Sequence, residues 1–253
     1  MPLTRSTIYC VLFTLLVWLT TMPFAVAGQP GLVGTFSGAD IGADLPMGWE
    51  PLVFGDDARL TVYSLVRDED VTVVRASSDN AASALVYPLR IDLAQTPIVQ
   101  WRWKVENVLE QGDALSKDGD DYPARLYVLF DVKPDDLSWT ERLKIETYHL
   151  LYGRYPPLRA LNYLWANRQP VGSLIPNIYS SRVQMYVVQS GESQLGQWVE
   201  QERNLYEDYV RAFGGPPPAV TGIAIMTDTD NTGEHATAYY GDIRLLPEHP
   251  KIK

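Results

Sequence analysis

Three segments carry basic, amide and phenolic residues on a single parity: Gln100, Arg102 and Lys104; Arg125, Tyr127 and Asp131; Arg182, Gln184 and Tyr186. In an extended chain successive side chains point to opposite faces, so each set belongs to one surface. Guanidinium groups clamp a carboxylate or sulfate bidentately, and phenol rings stack on pyranose rings while their hydroxyls hydrogen-bond. Arg102, Lys104, Arg125, Tyr127, Arg182, Gln184 and Tyr186 are therefore the candidate ligand-binding residues. The ligand they suit is an acidic glycan or another anionic cell-surface molecule. The competing reading is a solvated or internally paired face, in which the arginines answer acidic loops or lie under helices.

Two loops concentrate carboxylates. Asp118, Asp120 and Asp121 fall within four positions, and Asp228, Asp230 and Asn231 precede Gly233. Oxygen donors at such spacing suit calcium, with Asp120, Asp121, Asp228, Asp230 and Asp242 as the candidate ligands; no other cofactor is expected. The second loop is no EF-hand, because Thr232 and Tyr239 stand where that motif needs its fifth-position ligand and its closing bidentate Glu. A hairpin turn whose Asp and Asn side chains cap their own backbone is the preferred alternative. For catalysis, Glu110 with Asp113, or Asp228 with Asp230, would supply the carboxylate pair of a glycoside hydrolase. A polysaccharide lyase would take its base from Tyr127, Tyr186 or His235 and neutralise a uronate with Arg125 and Gln184. No Gly-x-Ser-x-Gly elbow, phosphate loop or dinucleotide fingerprint is present, and no catalytic residue is assigned.

The elements that must position these groups are mostly strands. Period-two alternation covers 59–67, 71–77, 84–93, 98–105, 124–132, 182–190, 220–227 and 236–246, separated by Gly, Pro and Asp/Asn clusters. That pattern predicts an all-β fold, an antiparallel β-sandwich of jelly-roll type, with Val99, Trp101, Trp103, Val105, Leu126, Val128, Phe130, Val183, Met185 and Val187 in its core. Two helical insertions are expected, over Asp136 to Tyr152 and over Trp198 to Phe213, the latter ending at Gly214. The segment Tyr148 to Trp165, rich in Tyr, Leu and Trp, reads as a lid or second layer across the sandwich, or as a patch for a partner.

Composition sets the compartment. Among 253 residues, Lys+Arg 21 against Asp+Glu 31 gives a net charge of −10, which excludes a general nucleic-acid binder. A single cysteine, Cys10, and three histidines leave neither a disulfide framework nor a zinc cluster. Residues 1–27 read as a signal peptide: Arg5, an apolar run from Ile8 to Leu19, and small residues Ala25-Val26-Ala27 at the cleavage point. The run falls short of the roughly 20 residues a membrane span needs. The expected mature form is one domain, 28–253, soluble, without a transmembrane span, and periplasmic or secreted.

Taken together, Pro46-Met47-Gly48-Trp49, Trp101-Arg102-Trp103-Lys104-Val105, Asp120-Asp121-Tyr122-Pro123-Ala124-Arg125, Ala160 to Ala166, and Thr227 to Gly233 running into Tyr240-Gly241-Asp242-Ile243 resemble the bacterial envelope family DUF3047, a domain of unknown function. The resemblance implies an exported β-sandwich and supplies no catalytic residue. The Gly-Trp pair and the closing strand are also similar to carbohydrate-binding modules. The leading expectation is a non-catalytic binder of glycan or anionic surface ligand. A lyase or hydrolase on the same face, and a structural accessory protein holding another envelope component, are the alternatives.

Overall fold

The computed structural model describes residues 31–54, 58–131 and 159–248. Its strands are β1 (Leu32–Gly34), β2 (Glu50–Leu52), β3 (Val62–Asp68), β4 (Val71–Asp79), β5 (Ala82–Ile91), β6 (Ile98–Val105) and β7 (Ala124–Phe130). They continue as β8 (Arg159–Ala166), β9 (Leu174–Pro176), β10 (Val183–Ser190), β11 (Val199–Asn204), β12 (Val220–Asp228), β13 (His235–Tyr240) and β14 (Ile243–Leu246), with helix α1 (Leu205–Phe213) after β11. One sheet runs β1-β14-β6-β13-β4-β3, with β11 also paired to β6; the other runs β2-β5-β12-β7-β8-β10-β9. The fold is an all-β sandwich.

Alternation explains why the sheets close on each other. Val99, Trp101, Trp103 and Val105 of β6 are buried against Leu126, Val128 and Phe130 of β7 and Leu161, Tyr163 and Trp165 of β8, so those expected core residues are in the core. Aromatic rings bridge the two layers, with Trp101 and Tyr163 centroids 5.4 Å apart and Trp103 and Trp165 6.2 Å apart. Such pairs add about 0.5–1.5 kcal/mol each beyond the area they bury.

The structure departs from the sequence reading in four places. Trp198 to Phe213 is not one helix: Val199–Asn204 pairs residue for residue with β6, and α1 begins only at Leu205. Asn204 caps it by accepting from the N–H groups of Tyr206 and Glu207, each at 3.1 Å. The expected strand 236–246 divides at Gly241-Asp242 into β13 and β14. Residues 159–165 of the aromatic patch form a central strand rather than a lid, because β8 is buried on both faces and so lacks alternation of polarity. Residues 148–158 of that patch, the expected helix 136–152 and the signal segment lie outside the described residues.

The fourth departure is register. β10 runs parallel to β8, whereas the other pairs of described strands are antiparallel, and sets Tyr186 beside Tyr163 on the core side. Their rings stack at 5.8 Å. Met185, expected in the main core, lies on the opposite face in a satellite cluster with Tyr122 and Leu164.

Candidate functional site

The candidate residues of matching parity do not converge. Arg102 and Lys104 face outward from the first sheet, whereas Arg125 and Tyr127 face outward from the second, on the far side of the aromatic core. Parity within a strand selects a face of its own sheet, and two stacked sheets have two outward faces. Tyr186 points into the core and donates from its hydroxyl to the Asp208 carbonyl at 2.9 Å. Gln184 folds back onto the Ser181 carbonyl, and the carbonyl of Arg182 accepts from the Ala160 N–H. The expectation of a single Arg/Tyr groove is thereby corrected.

On the first sheet, cross-strand register builds polar rows. Gln100 stands between Arg244 of β14 and Glu202 of β11, and Arg102 stands opposite Glu200. A cleft of about 600 Å³ opens over these rows, lined by Ser37, Gln100, Arg102, Glu200, Gln201, Glu202, Asp242 and Arg244 with Val71 and Trp101. Gln100 Nε2 donates to Glu202 at 2.5 Å. Asp242 accepts from the backbone N–H and hydroxyl of Ser37 at 2.9 and 2.7 Å, and Arg244 stands 3.8 Å away. That position separates Asp242 from the other expected calcium ligands, and it is removed from that set.

One end of the cleft is held by a stack. The Arg102 guanidinium lies 4.4 Å from the centre of the Trp198 ring system. Trp198 Nε1 donates to Asp68 at 2.7 Å, and Lys104 Nζ donates to both oxygens of the same carboxylate at 2.7 and 2.6 Å. Burial alone would raise the Asp68 carboxyl, but the hydrogen bonds from Lys104 and Trp198 and the charges of Lys104 and Arg102 hold it below the usual range. Beneath the stack a glycine is required: a Cβ on Gly241 would come within 2.5 Å of Arg102 Cγ.

On the second sheet the acidic loops do meet. Arg125 is 3% exposed and donates from Nε to Asp228 Oδ1 at 2.7 Å, from Nη2 to Asp228 Oδ2, and from Nη1 to the Tyr127 hydroxyl at 2.9 Å. Its guanidinium lies 4.3 Å from the centre of the Tyr122 ring. Carboxylate oxygens of Asp121, Asp228 and Asp230 lie within 4.8 Å of one another. Burial pushes the Asp228 carboxyl well up, against the pull of Arg125, and the Asp121 charge adds to the rise; burial and Asp121 also raise Asp230. Asp120 accepts from Asn177 Nδ2 at 3.0 Å. The two loops therefore share one pocket of charge around the Arg125 guanidinium.

The two candidate phenolic bases are unsuited to that role. Burial pushes the Tyr127 and Tyr186 phenols up to about 12, the wrong direction for a base at neutral pH. Asp113 accepts from the Leu115 N–H and from Gln169, which makes it a turn cap. His235 starts β13, where its carbonyl accepts from Asn107. Sequence reasoning missed Glu200, Glu202, Trp198 and Arg244. The signal for the first two was present, since Val199-Glu200-Gln201-Glu202-Arg203 alternates in polarity, but the helical spacing that follows Leu205 was extended over it.

Among solved structures, the chain is similar to the carbohydrate recognition domain of Emp47p, at 11% identity and TM-score 0.42, covering 87% of this chain and 95% of that one. It is similar to a β-1,2-glucanase from Parabacteroides distasonis at 11% identity and TM-score 0.42, covering 87% of this chain and 26% of that one. A family GH12 endoglucanase 3 from Trichoderma harzianum shows 10% identity and TM-score 0.41, covering 79% of this chain and 91% of that one. None of the three lends this chain a residue or an activity. No curated protein matches it. Residues 47–244 match DUF3047, described as a protein of unknown function, and the chain belongs to that family.

Proposed function

We propose that this protein is a non-catalytic glycan-binding protein of the bacterial envelope, and that the cleft on the first sheet is its binding surface. The cleft carries the reading: about 600 Å³ of open groove whose walls are planar carboxylates, amides and guanidiniums. A sugar hydroxyl donates and accepts at once, and such side chains offer both partners in fixed planes. Stacking on Trp198 fixes the plane of the Arg102 guanidinium, which lines the cleft. Three carboxylates, of Glu200, Glu202 and Asp242, stand beside the guanidiniums of Arg102 and Arg244, so the cleft favours a neutral glycan over a polyanion. Export rests on the signal-like residues 1–27.

The test is calorimetric titration of purified protein with panels of neutral and uronate oligosaccharides, with the products analysed for new reducing or unsaturated ends. Binding of a neutral glycan, weakened at least ~10-fold by Arg102→Ala or Glu202→Gln, is expected, a loss equivalent to about 1.4 kcal/mol. Release of new ends would replace this reading with the hydrolase or lyase. Absence of binding across the panel, or binding indifferent to both substitutions, overturns it.

A further inference from the structure

The acidic pocket on the second sheet is underpaired. Asp120, Asp121, Asp228 and Asp230 gather around one guanidinium, that of Arg125. Asp121 is fully buried; its Oδ2 accepts from the Thr232 N–H at 2.6 Å, whereas its Oδ1 is buried without any hydrogen-bond partner. Oδ1 of Asp120 is buried and unpartnered as well. A carboxylate oxygen so placed loses its water and gains nothing, which is costly for a charged group. Natural folds resolve that cost with a donor or a cation, and among the described residues none donates to Asp121 Oδ1.

The geometry points to a divalent-cation site formed by Asp121, Asp228 and Asp230, filled by calcium. Each of the three offers an oxygen within 4.8 Å of the others, close enough for one ion to touch all of them. The donors are all oxygen, which selects a hard cation over zinc or copper. Arg125 does not exhaust Asp228: Oδ1 accepts from both Arg125 and the Tyr122 N–H, but Oδ2 accepts from Arg125 alone and keeps a second lone pair. Asp230 is exposed, so the remaining coordination positions open to water, as calcium's six to eight ligands require. A divalent ion brings four carboxylates and one guanidinium close to neutrality.

The ion would tie together loops that are far apart in sequence. Asp121 precedes β7, Asp228 ends β12 and Asp230 lies in the turn before β13, and Asn177, which donates to Asp120, follows β9. Asn231 Nδ2 donates to the Tyr179 hydroxyl at 3.1 Å, and that hydroxyl donates to the Lys117 carbonyl at 2.9 Å. With Cys10 the only cysteine, no disulfide staples these loops. This inference stands apart from the glycan cleft, which lies on the other sheet.

The experiment strips the purified protein with a chelator, removes the chelator, and titrates it with calcium chloride and, separately, magnesium chloride, following heat and melting temperature. One calcium per chain is expected, with a rise in melting temperature of about 5–10 °C at 100-fold excess over Kd. Asp230→Asn, at an exposed position that the fold tolerates, abolishes the response, as does Asp121→Asn; Asp118→Asn, outside the cluster, retains it. Preference for magnesium would overturn the assignment of calcium. Absence of binding by either ion, or calcium binding that survives both substitutions in the cluster, overturns the site.

Discussion

Arg125 is a candidate for ligand contact by residue type, and its burial against Asp228 gives it a different task. Removing one member of a buried ion pair leaves the other charged and unsolvated, at a cost of about 3–5 kcal/mol. Arg125→Ala is therefore expected to lower the free energy of urea unfolding by that amount while folded protein keeps its affinity for glycan. A variant that unfolds normally but loses glycan would return Arg125 to the binding surface. Residue type indicates which chemistry is available, but the solvation of Arg125 is set by the adjacent Asp120 carbonyl and Tyr122 ring together with Asp228, which the pairing of β12 with β7 brings to it from more than a hundred positions away.

At the scale of elements, legibility followed how many faces of a strand are buried. β6 alternates Val99, Trp101, Trp103 and Val105 with Gln100, Arg102 and Lys104, and its bounds were readable to the residue. β8 is apolar on both faces and carries no period, so its strand character was hidden. The acidic loops were legible because carboxylate spacing survives folding, whereas the cleft depends on which strands lie side by side, as β11, β6 and β14 do. Gly241 marks that junction. Gly241→Ala would push its Cβ against Arg102 and displace the guanidinium from Trp198, so we expect glycan affinity to fall several-fold with a small change in stability. Measuring both on one preparation checks this; unchanged affinity would show that the stack does not shape the site.

For the whole molecule, the charge and the single Cys10 remain consistent with a chain that relies on its core, and the sandwich supplies one from residues of both sheets. If residues 1–27 direct export, intact-mass measurement of the protein recovered from the periplasm or medium should show a chain beginning at Gly28. A full-length mass, or retention with membranes, would refute cleavage.

The pairing of β1 with β14 sets Leu32 beside Arg244, so strands more than two hundred positions apart share hydrogen bonds. β12 likewise joins β5 and β7 across long stretches of chain. Closing such loops spends entropy before any contact repays it, which slows folding of topologies rich in non-local pairs. The first sheet cannot be completed until β14 is available. Completion of the sandwich therefore comes late, and refolding from denaturant, followed by stopped-flow fluorescence, is expected in the slow, millisecond-to-second regime of β-rich chains.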